Sequence, residues 1–259
     1  MAANEPGQPA VGPTAFTQNL AVPQVALAIG AHPDDVEFGC GATLAKWADA
    51  GCTVHHLICT DGSKGTWNAD ADIVALVEKR RDEQREAARL LSGASAAQVH
   101  FLAYVDGELD SNLIARGEVA RVIREVRPDV VLGHDPWKRY RLHPDHRHAG
   151  LLACEGIVAA RDPHFYRQQG LAAHRPGTLL LFEADQPDHV EDVGGQGGRF
   201  VERKLDALEA HVSQFESTMK ALDDQQLAAF RERISDRLNG IGEPFGYIAG
   251  EVFKRITDL

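Results

Sequence analysis

The chain has 259 residues, of which 44% are hydrophobic and 25% charged, and this composition is typical of a globular protein with one large core. The formal net charge of −11 argues against a duplex nucleic acid partner, whose binding requires a basic face. No run of 18 apolar residues occurs, so no membrane span is expected. The four cysteines lack C-x-x-C spacing, which indicates free thiols in a reducing compartment and predicts a cytoplasmic location.

The first 23 residues are rich in Ala, Pro, Gly and Gln and are expected to form a flexible tail without the features of a secretory signal. Strands and helices then alternate along a single catalytic domain, residues 24–259. Strands are predicted at 24–30, 53–59, 99–104, 129–133 and 178–182, and helices at 41–50, 72–91, 113–126 and 149–160. Extra helices are predicted at 200–211 and 224–238.

This alternation predicts the α/β class, with a doubly wound, mainly parallel, Rossmann-like sheet and helices on both faces. In a strand order of 3-2-1-4-5, the first and fourth predicted strands are neighbours. Ligand sites in such sheets lie beyond the carboxyl ends of the strands, where the strand order reverses.

Two polar motifs follow those neighbouring strands. Residues 31–37 read Ala-His-Pro-Asp-Asp-Val-Glu, and residues 143–146 read His-Pro-Asp-His. Each motif combines imidazole and carboxylate groups around a proline, a composition suited to a divalent metal and to acid–base chemistry. The predicted topology therefore brings both motifs to one pocket.

The residue types suggest a division of roles within that pocket. His32, Asp35 and His146 would supply two imidazoles and one carboxylate, which leaves the open positions that a catalytic zinc requires. The same donors also accept Fe(II), Co(II) or Mn(II). Asp34 would act as general base, and a protonated His143 would stabilise a developing oxyanion. The alternative is that Asp34 or Asp35 only caps the following helix.

The paired motifs resemble those of the PIG-L/LmbE-like metal-dependent deacetylases. The resemblance spans roughly residues 24–216 and includes four further segments: Thr60-Asp61-Gly62, Arg80-x-x-Glu83, Asp106-Gly107 and His211-x-Ser213-Gln214. It implies a zinc-dependent hydrolase that removes an acetyl group from the nitrogen of a GlcNAc-type conjugate. It also implies the same roles for the five residues assigned above, and a homo-oligomer, since members often assemble.

The resemblance further implies that Arg80 and Asp106 contact the sugar, while Asp145 either touches substrate or orients His143. Some members carry a tyrosine two residues before the first histidine of the second motif, where this chain has Arg141. Tyr140 is one step away, so help from a tyrosine is open, as is a supporting role for His134.

Other functions compete with this interpretation. An Fe(II) oxygenase uses the same donor types, but typically as H-x-D on a jelly roll rather than H-x-x-D in a β/α pattern. A non-catalytic nucleotide-binding domain is disfavoured because no G-x-G-x-x-G follows the first strand. An amidase acting on a mycothiol-type thiol conjugate stays open. The basic loop around Arg139 and Arg141 hints at an anionic conjugate, and Trp67 could stack on a sugar.

Overall fold

One mixed sheet organises the chain. The structure, a computed structural model, describes residues 16–93 and 97–259, so most of the predicted tail lies outside the described residues. The strands are β1 (Thr17–Gln18), β2 (Val25–Gly30), β3 (Thr53–Thr60), β4 (Gln98–Tyr104), β5 (Val130–His134), β6 (Thr178–Phe182), β7 (His189–Asp192) and β8 (Gly250–Ile256). Their order is β1-β7-β8-β6-β5-β2-β3-β4, and the run from β6 to β4 is parallel. The predicted 3-2-1-4-5 order is confirmed.

Helices cover both faces of this sheet, as predicted. They are α1 (Asp35–Asp49), α2 (Ile73–Ser92), α3 (Leu113–Val126), α4 (Pro144–Arg161), α5 (Arg199–Glu209) and α6 (Asp224–Gly242). Because side chains alternate along a strand, Leu27 and Ile29 of β2 pack in the core formed with α3 and α4. Ala26 and Ala28 pack in the core on the other face, with α1, α2 and α5. The doubly wound α/β fold is confirmed.

Two helices begin earlier than their apolar periodicity suggests. α1 begins at Asp35 rather than residue 41, and Cys40, between two glycines, leaves helical geometry at φ −151°. Glycine has low helix propensity, which explains why the sequence pattern starts only after this segment. α4 begins at Pro144, a residue favoured in the first helical turn. The second motif therefore lies in a helical turn rather than in a loop.

The C-terminal strand β8 was not predicted, because the region after residue 200 was expected to be mostly helical. β8 pairs antiparallel with both β6 and β7 and joins them into one sheet. At the far edge, β1 pairs parallel with β7, so residues 17–18 of the predicted tail belong to the sheet. Among the described helices, none combines the length and apolar character needed to cross a bilayer.

Candidate metal and catalytic site

The two motifs meet at the carboxyl edge of the parallel strands. β2 and β5 are hydrogen-bonded neighbours, and His32 follows β2 directly. His146 lies in the first turn of α4, the helix that comes next along the chain after β5. His32 Nδ1 lies 3.2 Å from His146 Nε2 and 3.4 Å from Asp35 Oδ2, and His146 Nε2 lies 3.3 Å from Asp35 Oδ1. The structure brings the three predicted ligands together.

These separations agree with the size of a zinc coordination sphere. Bonds of 2.0–2.1 Å to zinc in tetrahedral geometry place neighbouring ligand atoms about 3.3 Å apart. His143 and His134 also contribute nitrogen atoms to overlapping groups, in which all potential ligand atoms lie within 4.8 Å of one another. His32, Asp35 and His146 thus have the atom types that zinc accepts, and Asp35 reaches this spacing with Oδ2 toward His32 and with Oδ1 toward His146.

Two buried carboxylates orient His32 from behind. Its Nε2 lies 3.1 Å from Asp106 Oδ1 and 3.1 Å from Asp145 Oδ2, which leaves Nδ1 directed toward Asp35 and His146. Burial opposes protonation of His32, but its contacts with Asp106, Asp145 and Asp35 outweigh that effect and raise its pKa well above the ordinary value. Such carboxylate–histidine pairs fix the ring orientation of metal ligands.

Asp145, for which the resemblance left open either contact with substrate or orientation of His143, is completely buried. Its carboxylate accepts hydrogen bonds from the backbone N–H groups of Gly107 (2.6 Å) and Leu109 (3.2 Å), besides its contact with His32. Among the described residues, those that line the cavity include Asp106 but not Asp145. The position of Asp145 suits orienting His32 rather than touching substrate.

Asp34 holds an unusual backbone conformation that frees its carboxylate. It occupies the N-cap position of α1 with φ +106°, yet its side chain makes no capping hydrogen bond. A non-glycine residue in such a conformation costs about 1–3 kcal/mol, and strain of this kind tends to persist at functional sites. Burial raises the pKa of Asp34 to about 6, opposed by the nearby charge of Arg80. The carboxylate lines the cavity, so helix capping does not explain this residue.

His143 is placed as a hydrogen-bond donor toward the cavity. Its ring centroid lies 4.6 Å from that of His32, and its Nδ1 accepts a hydrogen bond from the backbone N–H of Asp145 at 3.3 Å. A neutral imidazole whose Nδ1 accepts carries its proton on Nε2. Burial and the neighbouring charges of His32 and His146 lower the pKa of His143. The structure therefore favours a neutral donor over the protonated form expected from the sequence.

Arg80 and Asp106 both line the cavity, and the contact with a sugar that the resemblance implies stays a prediction. The guanidinium of Arg80 donates to the carbonyl oxygens of Pro33 (2.6 Å) and Gly62 (2.8 Å), and lies 3.7 Å from Asp34 Oδ2. Asp106 Oδ2 accepts a hydrogen bond from the backbone N–H of Lys64 at 3.0 Å. Both side chains thus hold the loops that frame the site, in addition to facing it.

The loop before the second motif is turned away from the cavity. His134 Nε2 lies 3.1 Å from Asp35 Oδ2, which gives His134 a place behind a metal ligand. Arg141 is buried and its guanidinium lies 2.9 Å from Glu183. Tyr140 is 86% exposed and, in the described part of the chain, is not among the residues that line the cavity. Nothing in this arrangement supports help from a tyrosine.

The cavity extends well beyond the metal-ligating residues, to a volume of about 520 Å³. Trp67, on the loop after β3, lines it and is 81% exposed. Sequence reasoning did not assign Gln214, Ser217 and Thr218, which line another part of the cavity wall, in a segment that follows α5. Gln214 Nε2 donates to the carbonyl oxygen of Gly65, so this part of the wall is tied to the loop that carries Trp67. The His211-x-Ser213-Gln214 motif was the available signal for this wall.

Comparison with known proteins agrees with the geometry. The profile of the PIG-L family, described as GlcNAc-PI de-N-acetylase, matches residues 27–156, half of the chain. The chain belongs to the PIG-L family. The family and the enzyme class predicted from the motifs, a deacetylase that hydrolyses amides, are confirmed.

Two relatives and one solved structure illustrate the similarity of this chain to known deacetylases. The chain is 36% identical over 192 residues to the diacetylchitobiose deacetylase of Thermococcus kodakarensis, covering 73% of this chain and 69% of the relative. It is 30% identical over 241 residues to the 1D-myo-inositol 2-acetamido-2-deoxy-alpha-D-glucopyranoside deacetylase of Rhodococcus erythropolis, covering 73% and 80%. The solved N,N'-diacetylchitobiose deacetylase of Pyrococcus horikoshii, complexed with its inhibitor MPG, matches with a TM-score of 0.80 and 30% identity, covering 91% of this chain and 84% of that one.

Proposed function

We propose that this protein is a zinc-dependent hydrolase that removes the N-acetyl group from a GlcNAc-type amino-sugar conjugate. The observation that carries the proposal is that potential ligand atoms of His32, Asp35 and His146 converge. Next to them along the chain is Asp34, whose carboxylate makes no capping hydrogen bond to the helix. The names of the relatives, which include a diacetylchitobiose deacetylase and a GlcNAc–inositol deacetylase, support an amino sugar as substrate.

His32, Asp35 and His146 would hold the metal ion through Nδ1, a carboxylate oxygen and Nε2. A divalent ion at this position polarises the amide carbonyl and lowers the pKa of water. Zinc suits the mixed nitrogen and oxygen donors and their spacing, and Fe(II), Co(II) or Mn(II) are the alternatives that the same donors accept.

Asp34 serves as general base in this proposal. Its carboxylate faces the cavity, and a pKa raised to about 6 leaves it largely ionised at neutral pH yet basic enough to accept a proton from the attacking water. The same group, once protonated, can return the proton to the leaving amine nitrogen. His143, with its proton on Nε2, donates a hydrogen bond to the oxygen that gains negative charge.

The cavity suits an uncharged conjugate better than the anionic one that the sequence suggested. Arg141 is engaged by Glu183, and the side chain of Lys64 contacts the carbonyl oxygen of Asp106 and the carboxylate of Glu108. The exposed indole of Trp67 offers an apolar face with an N–H donor, a combination that suits stacking against a sugar ring. We therefore favour a neutral glycoside of GlcNAc.

The test is to incubate the metal-loaded protein with neutral GlcNAc glycosides, anionic GlcNAc conjugates, a mycothiol-type thiol conjugate and N-acetylated peptides. Free acetate and a new primary amine should appear together with the neutral glycosides, and the Asp34→Asn variant should form both about 10²- to 10⁴-fold more slowly. Turnover confined to the peptides, or to the thiol conjugate, would contradict the proposed substrate class. A cytoplasmic location and a homo-oligomeric state stay predictions.

A further inference from the structure

A chain of buried polar side chains lies beneath the backbone of Asp34, away from the cavity. The N–H of Asp34 donates to Gln84 Oε1 at 3.0 Å, and Gln84 Nε2 donates to Glu37 Oε1 at 2.9 Å. His211 Nε2 lies 3.4 Å from Glu37 Oε2, and His56 Nδ1 lies 3.5 Å from Glu37 Oε1. All four side chains, contributed by α1, α2, β3 and the segment after α5, are completely buried.

The chemistry of this chain of contacts requires an amide at position 84. A backbone N–H only donates, and an ionised carboxylate only accepts, so the residue between Asp34 and Glu37 must accept at one end and donate at the other. Glutamine does both with a single planar group, and Glu37 determines which end of that group faces Asp34. A glutamate at position 84 would instead oppose the carboxylate of Glu37.

Gln84 accepts its hydrogen bond from Asp34, whose backbone has an unfavourable conformation. Asp34 keeps φ at +106°, where a non-glycine residue persists only if its surroundings hold it. The contact from Arg80 holds the preceding carbonyl oxygen, that of Pro33. Gln84 therefore fixes the backbone N–H of Asp34, and Arg80 fixes the carbonyl oxygen of the preceding residue, Pro33.

We propose that Gln84, oriented by Glu37, is a positioning residue that fixes the backbone of Asp34 and so aims its carboxylate at the attacking water. The proposal rests on the proposed function, because it requires Asp34 to act as general base. Gln84 is fully buried and reaches the reaction only through Asp34. Removing it should lower the rate of the chemical step and leave both the metal ligands and the substrate-binding walls in place.

The experiment is a double-mutant cycle on the full-length, metal-loaded protein with a GlcNAc glycoside that it deacetylates. Gln84→Met keeps the length of the side chain and removes both polar ends. A displacement of about 1 Å at a reacting group costs up to about 100-fold, so we expect kcat to fall about 10- to 100-fold with KM and bound metal little changed. In the Asp34→Asn background, the same substitution should change kcat less than about twofold, because the group that Gln84 positions is already gone.

Two further variants separate positioning from folding. Glu37→Gln keeps an acceptor for Gln84, so its loss of kcat should be smaller than that of Gln84→Met. Thr43→Val removes a buried hydroxyl of α1 that has no hydrogen-bond partner among the described residues, and it should leave kcat unchanged. If Gln84→Met does not fold, Gln84→Leu, which also lacks both polar ends, is measured in its place, and the same changes in kcat are expected in both backgrounds.

An equal loss of kcat in the native and Asp34→Asn backgrounds would overturn the proposal, since it would show that Gln84 acts independently of Asp34. Full kcat in Gln84→Met would do the same. Failure of the proposed function looks different: Asp34→Asn itself would then keep its rate, or the native protein would not deacetylate any GlcNAc conjugate.

Discussion

Replacing Asp34 by Asn should make the metal-free protein more stable and should lower kcat of the metal-loaded protein. Burial raises the pKa of this carboxyl from 3.8 to about 6 in the folded chain. Above both pKa values the carboxylate is ionised in the folded and the unfolded states. The cost of burying this charge then lowers the stability of the folded state. At about 1.4 kcal/mol for each pKa unit, this penalty is about 3 kcal/mol at pH 8. Asparagine carries no charge and also tolerates a positive φ.

The gain in stability from Asp34→Asn should depend on pH. Between pH 4 and 6 the folded state binds a proton that the unfolded state has released, so the stability of the native protein falls as the pH rises through this range. The advantage of Asp34→Asn should therefore be largest above pH 7 and fall to about 0.5 kcal/mol at pH 4. For a chain of this size, about 3 kcal/mol corresponds to a Tm increase of about 6–12 °C.

The assay is urea or thermal unfolding of both proteins in a chelator at pH 8 and at pH 4. Asp70→Asn, at an exposed position on the loop before α2, controls for the loss of a carboxylate as such. With metal restored, kcat of Asp34→Asn should fall by about 10²- to 10⁴-fold. The reasoning is refuted if Asp34→Asn is no more stable than the native protein at pH 8, or if its advantage is the same at both pH values.

Four further results are expected. Alanine at His32, Asp35 or His146 should each lower bound metal, and near-stoichiometric metal in all three purified variants would contradict the ligand assignment. Because its carboxylate neighbours raise the pKa of His32, protons compete for Nδ1, so metal retention in dialysis should weaken as the pH falls. Asp145→Asn should lower metal affinity about 10- to 100-fold with little change in KM, whereas a raised KM at unchanged affinity would indicate substrate contact. Trp67→Ala should raise KM for GlcNAc glycosides more than it lowers kcat, and an unchanged KM would exclude stacking.

The candidate metal site could be predicted from the sequence because local signals coincide there. Two apolar runs are each followed by a histidine and a carboxylate. These signals are sufficient to predict the site once the strand order places the two runs side by side. His32, Asp35 and His146 therefore converge as expected. The same signals could not show that α4 begins at Pro144, which turns Asp145 inward behind His32 rather than outward into the cavity.

Other parts of the site depend on contacts between distant residues, which the sequence does not reveal. Gln84 lies in a charged amphipathic helix, and its role arises only from contacts with Asp34 and Glu37, about 50 residues away. Ser217 lies between the two predicted C-terminal helices, in a segment for which the sequence predicts neither a helix nor a strand. β8 was missed because a segment with charged, half-buried residues such as Lys254 resembles a solvated helix until its partner strands are known.

The position of β8 in the sheet also affects how the chain folds during its synthesis. Residues 250–256 are synthesised after every other strand, yet they lie in the sheet between β6 and β7. Until they leave the ribosome, β6 presents an open edge, and β7 is paired only with the two residues of β1. Open strand edges promote pairing between chains. A nascent chain can therefore assemble β2 and β5, which position His32, Asp35 and His146, and still be a target for aggregation or for chaperones until β8 joins the sheet.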